Sequence, residues 1–198
     1  KEPWEESKGK IYFSLLNISI EINDKSIVGY AIQDWLQQYF IEKGIYFQVP
    51  KNSQSFPDFF LTKNKDRNLL EIKCFDYDEG SPNFDISNFK AYYDSYKKYP
   101  YRLDADYLIF GYSFNKNNNY IAIKKIWLKK VWELCGGSKK YPLRVQLKEN
   151  IIYNIRPVKW YSNKKRVYLP FQSKIEFINA LEETYKLYGL YEDQIVKK

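Results

Sequence analysis

Two short apolar runs, Phe59-Phe60-Leu61 behind Pro57 and NLLEIKCF at residues 68–75, are linked by a turn rich in Lys, Asn and Asp. Their composition and the breakers around them predict two strands paired as a hairpin. Each run nevertheless carries charge. Asp58 heads the first, and Glu71 and Lys73 interrupt the second. Charges in apolar surroundings cost free energy unless something compensates them. The segment therefore constrains the chemistry as well as the fold.

Residues two apart on a strand point the same way, so Glu71 and Lys73 share a face while Leu70 and Ile72 point to the other. The hairpin brings Asp58, 13 positions before Glu71, across from it. Two carboxylates, an ammonium and backbone carbonyls then meet at one spot. Hard cations such as Mg²⁺ take oxygen ligands, use one or two carboxylates and fill the remainder with water and phosphate. Such an ion polarises a phosphodiester and turns bound water into hydroxide, and Lys73 is placed to orient the nucleophile or offset developing charge. The competing reading is a solvated polar face in which Glu71 and Lys73 form an ion pair worth little.

Elsewhere the pattern alternates between helix and strand. Residues 10–22 read as extended or mixed, with Ile18, Ile20 and Ile22 alternating with polar residues. Asp24 or Ser26 caps a helix over 26–42, whose buried stripe includes Ile27, Val28, Ala31, Ile32, Trp35, Leu36, Tyr39 and Phe40, and Gly44 stops it. Ile45–Val49 reads as a short strand. Asp85 caps a helix from Ile86 to about Tyr99, and DYLIFGY at 106–112 reads as a buried strand followed by the strand YIAI. KKIWLKKVWEL at 124–134 has helical spacing. A hairpin over 143–147 and 151–155 and a helix over about 173–187 complete a single mixed α/β domain.

The 32 basic against 24 acidic residues, a net +8, favour a polyanionic partner, nucleic acid first. The absence of histidine excludes a His-based triad, a His-ligated zinc site and a His–Asn nuclease in this chain. Two cysteines, Cys74 and Cys135, make neither a disulfide framework nor a zinc spacing and point to a reducing cytoplasm. No membrane span or signal-peptide pattern is read. The string starts at Lys1 and lacks methionine, which leaves open that it is a fragment.

Pro57-Asp58 with Glu71-Ile72-Lys73 resembles the motif of the PD-(D/E)XK nuclease superfamily, and the element order over residues 24–125 is similar to its common core. That resemblance implies a restriction-endonuclease-like fold, a central mixed β-sheet flanked by helices. Residues 126–198 form C-terminal additions, a hairpin and a helix among them. Among its members the chain most resembles type II restriction endonucleases. By resemblance, Asp58, Glu71 and the Ile72 carbonyl ligate Mg²⁺, Lys73 positions the water, and hydrolysis of double-stranded DNA leaves a 5′-phosphate. Many relatives carry another acid in the first core helix. Here Gln33 and Asp34 stand there, and capping or solvation explains them as well as a second metal does. A homodimer is expected from resemblance and from the symmetry of a palindromic duplex.

Candidate DNA contacts are Asn88 and Lys90 after the second strand, Lys124, Lys125, Lys129 and Lys130, and then Arg144, Gln146, Arg156, Lys159, Lys164, Lys165 and Arg166. For any one of them an ordinary exposed basic face explains it too. Three other functions remain in competition: a structure-selective nuclease (Holliday-junction resolvase or repair enzyme), a non-catalytic nucleic-acid-binding module, and an interaction protein with solvated hairpin charges.

Overall fold

The computed structural model describes residues 4–52, 55–115, 117–161 and 168–195. In chain order, β1 (Lys8–Gly9), β2 (Tyr12–Leu15) and β3 (Ile18–Glu21) precede α1 (Val28–Glu42), and β4 (Phe59–Phe60) and β5 (Leu69–Asp76) follow it. Next come β6 (Ser87–Asn88), α2 (Phe89–Lys98), β7 (Asp106–Asn115), β8 (Tyr120–Lys130) and α3 (Val131–Leu134). β9 (Val145–Lys148), β10 (Ile151–Ile155) and α4 (Lys174–Ile195) close the chain. The class is the expected mixed α/β one. Two compact units emerge, Lys1–Asn83 with Asp106–Leu128, and Phe84–Ala105 with Lys129–Lys198.

The first unit is built on a five-stranded sheet of order β1-β8-β7-β5-β4. β4 and β5 run antiparallel, Phe59 opposite Leu70 and Phe60 opposite Leu69. β5 and β7 run parallel from Leu70–Asp106 to Asp76–Tyr112. A parallel pair needs a long crossover, here residues 77–105. Asp24 accepts the Ser26 N–H at 2.8 Å and starts a single 3₁₀ turn over Lys25–Ile27 that runs into α1. At the other end Gly44 takes φ +64, and the Ile45 N–H returns to the Phe40 carbonyl at 2.8 Å.

The stripe Val28, Ile32, Leu36 and Phe40 is buried in one cluster with Phe59, Leu70, Ile72, Phe110, Tyr112 and Ile121. Leu36 has no exposed surface, and cutting such a side chain to alanine costs about 2–5 kcal/mol. Trp35 departs from the expected stripe. It is 47% exposed and meets Trp4 edge-on at 5.6 Å. Its large ring covers neighbouring aromatic surface without entering the core.

The second unit carries the sheet β6-β10-β9. Phe177, Leu181 and Thr184 of α4 are buried, and Thr184 Oγ1 accepts the Leu143 N–H at 3.0 Å. Tyr93 of α2 stacks flat on Tyr185 at 3.7 Å. The Tyr93 and Tyr96 hydroxyls both donate to Glu182, at 2.7 and 3.1 Å.

Three local expectations are corrected. KKIWLKKVWEL is strand through Lys130, and only Val131–Leu134 is helical. Helical spacing in a short apolar run does not exclude a strand, and here the sheet decides: Trp127 stacks on Phe75 at 5.8 Å while Ile126 packs against the core. Ile45–Val49 contributes only the single bridge Gln48–Phe60, because the adjoining β4 offers two residues and Pro50 has no N–H. The second helix begins at Phe89, three residues late. Ser87 and Asn88 are drawn into β6, and Asn88 becomes the cap by accepting the Ala91 N–H at 3.0 Å.

Candidate active site

The β4–β5 register sets Asp58 beside Glu71, and the side chains converge through backbone donors. The Ile72 N–H donates to Asp58 Oδ2 at 2.7 Å, and the Asp58 N–H donates to Glu71 Oε2 at 3.2 Å. Lys73 Nζ donates to Glu71 Oε1 at 2.8 Å. Gln33, on α1, donates its amide to Asp58 Oδ1 at 3.0 Å. All four carboxylate oxygens thus accept a hydrogen bond. A strand-to-strand register, a same-strand neighbour and one helix side chain define the cluster.

Burial sets its electrostatics. Glu71 is only 8% exposed. Burial raises the Asp58 carboxyl, against the Ile72 N–H, the Lys73 charge and Gln33. Burial also raises Glu71, the Asp58 charge adds to that rise, and Lys73 opposes it. A half-buried and a buried carboxylate side by side, with one ammonium held at Glu71, attract a further positive charge.

The donor set fits a hard divalent cation. The ligands on offer are oxygens, and two carboxylates match an ion that draws its remaining ligands from water and phosphate. Among the described residues no group of three or more His, Cys, Asp or Glu side chains could hold a metal. Burial pushes the neighbouring Cys74 thiol up to about 12, so it stays neutral and supplies no thiolate.

Asp34 lies outside the cluster. It is exposed and accepts the Gln37 amide at 3.4 Å. Gln33, the other residue considered at this point of α1, is the one that reaches Asp58. Its signal in the sequence was its spacing of three and seven residues from Leu36 and Phe40, which puts it at the margin of the buried stripe.

A model of the NgoBV restriction endonuclease family matches residues 1–194. The chain belongs to that family. It is 41% identical over 179 residues to the type II restriction enzyme NlaIV of Neisseria lactamica, covering 90% of this chain and 73% of that protein. It is 39% identical over 144 residues to the type II restriction enzyme NgoBV of Neisseria gonorrhoeae, covering 72% of this chain and 81% of the relative. The solved structure of NlaIV restriction endonuclease superposes with a TM-score of 0.86 at 40% identity, over 92% of this chain and 74% of that one. This member of the NgoBV family is a type II restriction endonuclease, as the motif resemblance implied. Such enzymes act on double-stranded DNA and in general require a divalent metal.

The residues considered for DNA contact are distributed over both units of this NgoBV-family chain. In the first unit Lys124 is half-buried, and Lys125 pairs with Glu5 at 2.9 Å. In the second, the Asn88 amide donates to the Tyr153 carbonyl at 3.0 Å, and Lys90 pairs with Asp94 at 2.8 Å. Lys129 pairs with Glu133 at 2.9 Å, and Lys130 donates to the Asp104 carbonyl at 2.6 Å. Arg156 holds Asp85 at 2.6 Å, and Asn154 joins both Asp85 and Gln146. Arg144 is half-buried, and Lys159 lies over the Tyr161 ring at 5.6 Å. Lys164, Lys165 and Arg166 lie outside the described residues.

Among the described residues no helix is long and apolar enough to cross a membrane.

Proposed function

We propose that the chain hydrolyses phosphodiester bonds of double-stranded DNA in the cytoplasm as a Mg²⁺-dependent homodimer, with Asp58, Glu71 and Lys73 as its catalytic residues. The observation that carries this reading is the convergence of a buried Glu71 with Asp58 and Lys73, each joined to it by a hydrogen bond.

Asp58, Glu71 and the Ile72 carbonyl would hold the metal, which supplies charge neutralisation at the phosphate and a lower pKa for attacking water. Gln33 and the Ile72 N–H keep the Asp58 carboxylate in one orientation, so little reorganisation is needed when the phosphate arrives. Lys73 keeps its ammonium at Glu71 until substrate binds. There it orients the incoming water and offsets the charge that grows on the phosphoryl oxygens. Water adds to phosphorus, the P–O3′ bond breaks, and the products carry a 5′-phosphate and a 3′-hydroxyl. The exposed basic residues are the candidates for phosphate contacts, and Gln146 and Arg144 for base edges.

The experiment is digestion of a long mixed-sequence plasmid with Mg²⁺, with EDTA as control and Lys73→Ala alongside. Discrete bands are expected from the native chain, none with EDTA, and a rate lowered by about 10²–10³-fold in the variant. Cleavage of equal rate in Lys73→Ala would remove that residue from the chemistry. Uncut plasmid with cleaved branched substrates would favour a structure-selective nuclease instead.

A further inference from the structure

Among the described residues, β2 and β3 form a ribbon that joins no other sheet. Its register pairs Phe13 with Ile20, Leu15 with Ile18, Tyr12 with Glu21 and Ser14 with Ser19. Cross-strand partners share a face, as do residues two apart. One face is therefore wholly apolar, formed by Phe13, Leu15, Ile18 and Ile20. The opposite face satisfies itself, Ser14 Oγ with Ser19 Oγ at 2.9 Å and Glu21 with Lys10 at 2.7 Å.

The apolar face is uncovered. Its side chains are 54, 63, 69 and 51% exposed, and Leu16 at the tip is 93% exposed. Leu16 also holds φ +52, a left-handed conformation that a bulky residue adopts at a cost. At its root the Ile22 N–H closes the ribbon on the Ile11 carbonyl at 2.8 Å, Ile11 packs on the core, and Lys10 lies over the Tyr120 ring at 4.7 Å. A lone two-stranded ribbon is marginal in water, and alternation this regular specifies a ribbon with one face packed.

We infer that this face docks on its own copy in a second chain, ribbon against ribbon about a two-fold axis. The inference rests on the homodimer of the proposed function and locates its contact surface. The exposed apolar area is on the order of 500 Å², the upper range for a monomer's patches. Two copies bury on the order of 1,000 Å², the threshold for a biological interface and the size of a weak, reversible one. The charge argues for protein over DNA. Residues 11–24 hold no Lys or Arg and include Glu21 and Asp24, in a chain of net +8, so the ribbon lacks the cations that grip a phosphate backbone. Glu21 lies on the opposite face, so apolar self-contact brings no like charges together.

The test is sedimentation of the full chain over a wide concentration range, native beside Ile18→Glu. Native chain is expected to self-associate reversibly, and Ile18→Glu to weaken association roughly 30-fold or more with an unchanged circular dichroism spectrum. Under mild oxidation Leu15→Cys is expected to cross-link to its copy where native chain does not. The inference is overturned by a monomeric native chain, by Ile18→Glu associating as native does, or by a dimer in which Leu15→Cys gives no cross-link. Association left intact but DNA binding lost in Ile18→Glu would assign the face to DNA and overturn it equally. Plasmid digestion on the same samples separates the two readings. Native chain that cuts as a monomer refutes this face and the homodimer but leaves the nuclease site standing, whereas native chain that dimerises through it without cutting supports the face and refutes the nuclease site.

Discussion

Gln33 on α1 donates its side-chain amide to Asp58 Oδ1 at 3.0 Å, while its neighbour Asp34 stays exposed beside Gln37. The helix thus brings a neutral donor, and no third carboxylate, to the two acids of the site. Partners of this kind orient a ligand without touching the metal, and losing one typically costs about 10–100-fold in metal affinity. Gln33→Ala is expected to weaken Mn²⁺ or Mg²⁺ binding by that factor in calorimetric titration, with the fold intact. Gln33→Glu is expected to push the Asp58 carboxyl still higher, because a like charge replaces a donor. Unchanged binding in Gln33→Ala would leave Gln33 with a packing role only.

The buried carboxylates make a prediction about the metal-free chain. Burial raises both Asp58 and Glu71. An acid raised in the folded state contributes stability below its ordinary range, and that contribution is lost as the pH rises through its folded value. Above those folded values the ionised pair therefore weighs against folding. Glu71→Gln is expected to raise the thermal midpoint of the metal-free chain by a few degrees, ~2–4 °C corresponding to about 1 kcal/mol at this size. Mg²⁺ is expected to raise the midpoint of the native chain at alkaline pH, less as the pH falls and the pair takes up protons, and not at all in Glu71→Gln. Thermal scans with and without metal check both statements.

Glu182 has the opposite sign. Burial works to raise its carboxyl, but hydrogen bonds from Lys97, Tyr93 and Tyr96 outweigh it and hold the group below its usual value. Its stabilisation is present above the ordinary carboxylate range and is lost as the pH falls through the lowered value. Glu182→Gln is expected to lower the thermal midpoint at neutral pH, and the gap to native should close on acidification. A gap that persisted in acid would point to packing alone.

Gly111 of β7 lies under an aromatic layer. A Cβ there would sit 3.0 Å from Trp127 and 3.1 Å from Tyr77. Trp127 is also held by its stack on Phe75 at 5.8 Å. Gly111→Ala is expected to destabilise the chain by about 1–3 kcal/mol, read as a lower denaturant midpoint. A midpoint equal to that of native chain would mean the rings shift freely.

Asp58, Glu71 and Lys73 were legible in the sequence because strand periodicity and hairpin register are local rules. Once Phe59 pairs with Leu70, Asp58 stands beside Glu71 without any further information. The α1 stripe and Gly44 were legible for the same reason, since caps and 3.6-residue spacing act within a few turns. Residues 124–134 could not be resolved this way. Their spacing suits a helix, and only the ring contacts of Trp127 and the place of β8 between β1 and β7 in the sheet make 124–130 a strand, leaving Val131–Leu134 helical.

Which helix side chain meets the acids was likewise decided in three dimensions. Gln33 and Asp34 differ by a 100° turn of α1, and the packing of Ile32, Leu36 and Phe40 on the sheet points one at Asp58 and the other at water. The shift of the helix start from Ile86 to Phe89 follows from β6 pairing with β10, with Asn88 opposite Asn154 and Ser87 opposite Ile155. By itself, then, the sequence determined α1, the β4–β5 hairpin and the acidic pair, through interactions between near neighbours. Tertiary structure decided edge pairing, cap position and the orienting amide, because those depend on backbone and side-chain partners distant along the chain.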